Sequence, residues 1–149
     1  YAISARGGLF VSLNRGSNWS VTPGTDFMPY ARLASVCIDF TNDQILYLGT
    51  GDHNYYYSGS GVWKSTNGGN TFSPSGLENK LVVEMIMDPT DHNIIVAATN
   101  AGIYKTLNAG TTWTLKTASR PFDDLKLKEN SSTRTMFAAT TDSAFFRST

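Results

Sequence analysis

Three features of these 149 residues predict an all-β fold built from tandem four-stranded units. A motif recurs as GLFVSLNRGSNW from Gly8 to Trp19, GVWKSTNGGNTF from Gly61 to Phe72 and GIYKTLNAGTTW from Gly102 to Trp113, with a shorter copy, AFFRST, from Ala144 to Thr149. Each copy follows an apolar run rich in β-branched and aromatic residues and broken by Gly, Asn and Asp, the composition of short strands. No segment carries a sustained helical period or a cap opening a long apolar stripe. A unit of ~40 residues with four strands, repeated in tandem, is the pattern of a β-propeller.

Each unit reads as strands A to D. Strand B is YAISA (Tyr1 to Ala5), QILYLGT (Gln44 to Thr50), NIIVAAT (Asn93 to Thr99) and TMFAAT (Thr135 to Thr140). In three units strand A precedes it and ends on an acidic residue: Asp39, Asp88 and Glu129. The small residue opening strand C falls at 8, 61, 102 and 144, spacings of 53, 41 and 42, so the period is 41 to 42 with extra residues in the second unit. The reading is therefore the end of a blade over 1–23, blades over 33–74 and 81–117, and the start of a blade over 122–149. The first lacks strand A and the last lacks strand D. This predicts an incomplete arc of about three and a half blades that requires the remainder of its own propeller.

Composition removes several function classes. Twelve basic and 12 acidic residues give zero formal charge, without the cationic surplus that nucleic-acid binding needs. No apolar run approaches the roughly 20 residues of a membrane span. The single Cys37 rules out a disulfide framework, and its place between Val36 and Ile38 predicts an inert core thiol. The sequence opens at Tyr1 with neither initiator Met nor signal peptide, as expected of a mature or trimmed segment.

The C–D connections carry Ser12-x-Asn14-x-Gly16-x-Asn18-Trp19, Ser65-x-Asn67-x-Gly69-x-Thr71-Phe72 and Thr106-x-Asn108-x-Gly110-x-Thr112-Trp113. Asn can accept backbone N–H groups just ahead of it, Gly permits positive φ, and the hydroxyl can tie the turn to its strand. Trp19, Phe72 and Trp113 are expected to be largely buried plugs on the blade core. The pattern resembles the Asp-box, S-x-D-x-G-x-T-W, of sialidases, sortilin-type receptors, some endoglucanases and secreted bacterial propellers, with Asn14, Asn67 and Asn108 replacing Asp. In those families the turn is a folding device, and that role is what the resemblance implies here. The run LYLGTGDHNYYYSGSGVWKSTNGGNTF, with MDPTDHNIIVAATNAGIYKTLNAGTTW, is similar to large secreted propellers of Bacteroidetes exported by the type IX secretion system. The resemblance implies a secreted or cell-surface location.

In an antiparallel blade the B–C and D–A connections share one face, and the A–B and C–D turns share the other. The extra residues of the second unit lengthen its B–C loop by 8 and the preceding D–A loop by 4, both on the first face. Variable loops on a rigid scaffold are where binding resides. They hold Asp26, Phe27, Tyr30 and Arg32, then Asp52, His53, Asn54, Tyr55, Tyr56 and Tyr57. The tyrosines suit stacking on sugar rings or anchoring a protein partner, while alternate rings packed beneath the loop are the competing reading. Asp52, His53 and Asn54 are adjacent and converge only if a turn is imposed, which leaves room for a structural calcium but for no catalytic metal or cofactor.

No catalytic residue is assigned. Asp123 and Asp124 resemble a glycosidase pair, but neighbours on a regular strand point to opposite sides. His92 in the A–B turn reads as solvated, and Asp39, Asp88 and Glu129 read as a turn device repeated in each blade. Asn18-Trp19-Ser20 and Asn130-Ser131-Ser132 match the N-glycosylation sequon. Asp142-Ser143-Ala144 is similar to the O-glycosylation motif of exported Bacteroidetes proteins, with Ser143 the acceptor. The leading expectation is a non-catalytic binding propeller whose partners are proteins or glycans at the cell surface, or components of secretion machinery. The alternative is a fragment of an endoglucanase- or sialidase-like glycoside hydrolase. Arg6, Arg32 and Arg120 are too scattered for the three-arginine clamp of a sialidase. A third reading is an assembly factor for a membrane complex.

Overall fold

The computed structural model describes residues 1–28, 32–52, 59–129 and 133–148. Among them lie 14 strands in four antiparallel sheets. The first sheet is β1 (Ala2–Ser4), β2 (Gly8–Val11) and β3 (Ser20–Val21). The second is β4 (Leu33–Ile38), β5 (Leu46–Thr50), β6 (Val62–Ser65) and β7 (Ser73–Pro74). The third is β8 (Val82–Asp88), β9 (Asp91–Thr99), β10 (Gly102–Thr106) and β11 (Thr114–Leu115). The fourth is β12 (Phe122–Glu129), β13 (Arg134–Thr140) and β14 (Phe145–Arg147). One 3₁₀ turn, Pro23–Thr25, follows β3. Every sheet runs in chain order, and β4 packs against β1 and β8, and β8 against β12. Strands A of the second, third and fourth blades thus stand side by side, with β1, a strand B, against the first of them and the other strands radiating outward: an arc of a β-propeller.

The core lies in the joints between blades. β5 is buried along its whole length, because its two faces meet different neighbours. Leu46 and Leu48 join Leu9, Met28 and Leu33 in the first joint. Tyr47, one residue out of phase, joins Val62, Met85 and Ile95 in the second. β9 repeats the device: Ile95 and Ala97 face backward, while Val96 and Ala98 face forward onto Phe122 and Leu125. A period of two with both phases apolar is what a strand sandwiched between sheets requires. Cys37 is buried in the second joint, and burial pushes its thiol up to about 11, so it stays protonated at neutral pH.

The three C–D turns share one hydrogen-bond pattern. Ser12, Ser65 and Thr106 each donate their hydroxyl to the Asn two residues on, at 3.0, 2.9 and 2.9 Å. Each hydroxyl oxygen also accepts the N–H of Gly16, Gly69 or Gly110, at 2.7, 2.9 and 3.1 Å. The Asn Oδ1 accepts the N–H four residues on, from Asn18, Thr71 and Thr112. Their closing aromatics differ. Phe72 packs on the first joint and Trp113 on the second, where Trp113 Nε1 donates to Ser75 O at 2.8 Å. Trp19 is 47% exposed and donates only to Gly16 O in its own turn, which corrects the expectation that all three are buried. Each aromatic docks on the preceding blade, and no blade precedes β1 among the described residues.

Candidate functional site

The face carrying the B–C and D–A connections holds the described ends of both long loops. Their base is fixed by a pin repeated in three blades. Thr50, Thr99 and Thr140 end strand B, are buried, and donate Oγ1 to the carbonyl of Gly61, Gly102 or Ala144, at 2.8, 2.8 and 3.2 Å. Residues 51–60 therefore enter and leave between the same two anchor points as the short connection over 100–101. That is how an insertion is accommodated without moving the strands.

Strand A begins at this face, and in every complete copy it begins with a bulge. The register shifts between Leu33 and Ser35, between Val82 and Glu84, and between Phe122 and Asp124. The extra residues, Ala34, Val83 and Asp123, occupy equivalent places, and bulges re-aim side chains beside functional sites. Ala34 and Val83 line a shallow cavity of about 220 Å³ with Ala5, Gly51, Asp52 and Leu81. The bulge also corrects the reason for dismissing Asp123 and Asp124 as a pair, because strict alternation does not hold there. What occupies Asp124 is Lys126, whose Nζ lies 2.8 Å from Asp124 Oδ1 and 2.8 Å from Glu84 Oε1. The ammonium of Lys126 beside it holds the Asp124 carboxyl below its ordinary range.

Arg32 and Asp52 bring the two long loops together: Nη1 lies 2.6 Å from Oδ2, with the carboxylate side chain 10% exposed. The fourth blade has a looser counterpart, Arg120 to Asp142 at 3.9 Å, between its own D–A and B–C connections. Tyr30, His53, Tyr55, Tyr56 and Tyr57 lie outside the described residues. Phe27 is exposed on the D–A loop, between buried Thr25 and buried Met28. Ser143 is an exposed B–C turn residue with φ 65°. Among the described residues, no group of three or more His, Cys, Asp or Glu is arranged to hold a metal ion.

The opposite face repeats more strictly. Asp39 Oδ1 accepts the Thr41 N–H and hydroxyl at 2.8 and 2.7 Å, and Asp88 Oδ1 accepts the same groups of Thr90 at 2.8 and 2.7 Å. A side chain from the next blade crosses onto each: His92 Nδ1 lies 3.0 Å from Asp39 Oδ2, and Arg134 Nη1 3.3 Å from Asp88 Oδ1. His92 is thus part of a contact between blades rather than simply solvated. Tyr1 and Tyr47, which sequence reasoning passed over, occupy equivalent strand-B positions. Their hydroxyls donate to Gly68 O at 3.5 Å and Ala109 O at 3.2 Å in the next blade's C–D turn. The readable signal was a tyrosine at the same register in two copies.

No family model matches the chain, and no curated protein matches its sequence. Solved structures do. An ancestral GH74 enzyme superposes with a TM-score of 0.75 at 20% identity, over 98% of this chain and 20% of that one. A GH74 enzyme from Niastella koreensis gives 0.66 at 23% identity, over 90% and 22%. The GH74 xyloglucanase from Xanthomonas campestris gives 0.66 at 16% identity, over 97% and 26%. The chain spans a fifth to a quarter of these enzymes. At such identity the likeness shows the fold: a partial β-propeller. No helix among the described residues is long and apolar enough to cross a membrane.

Proposed function

We propose that this chain is an arc of a carbohydrate-active propeller of the glycoside-hydrolase type, and that the face joined by Arg32 and Asp52 is its saccharide-contacting surface. The observation that carries the reading is the superposition of nearly the whole chain on three GH74 enzymes. The cleft supports it chemically with an apolar floor and a charged pair at its edge, and in the sequence three consecutive tyrosines, Tyr55 to Tyr57, follow Asp52. Glycoside hydrolysis takes two carboxylates flanking the bond. The described lining supplies one, Asp52, and Arg32 already engages it. In this reading the segment contributes binding contacts, and a hydrolase would draw its reacting carboxylates from beyond the described lining.

That same lone carboxylate favours a second reading, a surface binding scaffold without hydrolysis. The resemblance to exported Bacteroidetes propellers supports an extracellular setting for either, with Ser143 as a glycan acceptor and cell-surface glycans or proteins as partners. Titration with xyloglucan oligosaccharides should show binding that falls at least ~10-fold when residues 51–60 are cut to the Asn-Ala connection of the next blade. The pins from Thr50 and Thr99 show that the short loop closes the same hairpin. Unchanged binding by a folded, trimmed variant would place the site elsewhere. Release of reducing sugar from xyloglucan by the full-length protein separates the hydrolase from the scaffold.

A further inference from the structure

The joint between the third and fourth blades contains a cavity of about 450 Å³. Val96, Ile103, Leu125 and Met136 form an apolar part of its wall, and Asp88, Lys105, Lys116, Thr117, Arg134 and Arg147 also line it. The other two joints show what occupies this place. Thr22, Ser75 and Lys116 are equivalent, each donating its N–H to the carbonyl of Leu9, Val62 or Ile103 at 2.8, 2.7 and 2.8 Å. In the first joint the C–D turn of the second blade docks here, with Gly24 N–H donating to Gly69 O at 3.2 Å. In the second joint Ser75 Oγ donates to Gly110 O at 3.0 Å, and Trp113 lies over Gly76.

The residue after the anchor differs between the joints. Gly76 receives Trp113, and a Cβ added there would sit 2.8 Å from the indole Cδ1. Pro23, which has a Cβ, stands at the equivalent place in the joint that receives the smaller Phe72. The third seat carries Thr117, whose Oγ1 is held by the Ile103 N–H at 3.0 Å. Its Cβ occupies space that only Gly76 leaves open.

We propose that this groove is a docking seat for a polypeptide turn of the type Ser/Thr-x-Asn-x-Gly-x-Thr-aromatic, and that it selects phenylalanine over tryptophan at the closing position. Lys105 is placed to bond the carbonyl between the Asn and the Gly, as Lys64 Nζ does with Ala109 O at 3.2 Å. The two lysines are equivalent in the repeat, one residue beyond Trp63 and Tyr104.

A graft tests this on the whole chain. Ser148 and Thr149 repeat Ser65 and Thr66, so the sequence of Asn67–Pro74 can be appended directly after Thr149. The same segment carrying F72W or F72A supplies the comparison. The phenylalanine graft should raise the urea midpoint by roughly 0.5–1 M, the tryptophan graft by less than about half of that, and the alanine graft by nothing measurable. In the Thr117→Gly background the order of the first two should reverse. An alanine graft as stabilising as the phenylalanine one would overturn the seat, as would no gain from any graft. A tryptophan graft equal to or better than phenylalanine in the unmodified chain would overturn the selectivity, even if the Thr117→Gly variant failed to fold.

Discussion

Trp19 and Trp113 close turns with the same internal hydrogen bonds, yet one ring is half exposed and the other is packed into a joint and bonded to Ser75. The turn therefore shapes the backbone, and the neighbouring blade decides what the aromatic is worth. Trp113→Ala removes partly buried aromatic surface and orphans the Ser75 carbonyl, for a cost of about 3 kcal/mol. Trp19→Ala should stay within about 0.5 kcal/mol, as exposed substitutions do. Urea denaturation of both variants measures the gap, and equal costs would show that the aromatic serves its own turn.

Two glycines sharpen the comparison. Gly16 and Gly76 both have positive φ, 86° and 87°, so alanine meets similar backbone strain at each. They differ in surroundings. A Cβ on Gly16 has only Trp19 Cζ2 within reach, at 3.8 Å, whereas on Gly76 it would overlap Trp113 Cδ1 at 2.8 Å. Gly16→Ala should cost about 1 kcal/mol and Gly76→Ala about 2–3. Combining Gly76→Ala with Trp113→Ala should bring its added cost close to that of Gly16→Ala, a coupling that a double-mutant cycle reads directly.

The blades were legible because the repeat writes strand order, turn chemistry and loop insertions into residue spacing. The contacts between blades were not, since they depend on pairs such as Asp39 and His92 whose separation, 53 residues, follows no local pattern. Trp19 was misread for the same reason: its motif is intact, and its burial belongs to a surface outside the motif. The bulge at Asp123 escaped because an extra residue in a strand leaves no mark on a short apolar run. The candidate site was legible as a face and as two loops; its tyrosines, Tyr30 and Tyr55 to Tyr57, remain residues known from the sequence.

The paired clasps of the opposite face respond to acid. Burial works to raise the Asp39 carboxyl, but the bonds from Thr41 and the nearby His92 outweigh it and hold it below the ordinary range. A depressed folded-state pKa contributes stability above the unfolded value of about 3.9, and that contribution is lost as pH falls through the folded value. The unmodified chain should lose stability below about pH 4, and Asp39→Asn should flatten that decline while costing about 1 kcal/mol at neutral pH. Urea midpoints across the acid range check the slope, and an unchanged slope would exclude Asp39 as a contributor.

The smallest expected effect separates the tyrosines that reach across the first two joints. Tyr47 is 1% exposed and donates its hydroxyl to Ala109 O at 3.2 Å, whereas Tyr1 reaches Gly68 O at 3.5 Å from a partly buried position. Tyr47→Phe leaves the ring in place and leaves the Ala109 carbonyl with Lys64 Nζ as its remaining donor, a loss of about 1 kcal/mol; Tyr1→Phe should cost less than about 0.5 kcal/mol, since water can replace the hydroxyl. Alkaline titration adds a second readout. Burial, with the nearby charges of Asp39 and Cys37, pushes the Tyr47 phenol up to about 12. A raised folded-state pKa contributes stability fully present below the unfolded value of about 10 and lost as pH rises toward 12. Tyr47→Phe should therefore narrow its deficit against the unmodified chain between about pH 10 and 12; burial and the nearby Asp43 also raise the Tyr1 phenol, so the smaller deficit of Tyr1→Phe should narrow in the same direction. A deficit for Tyr47→Phe that stays constant across that range would mean the phenol ionises as readily folded as unfolded, and the joint is open to water.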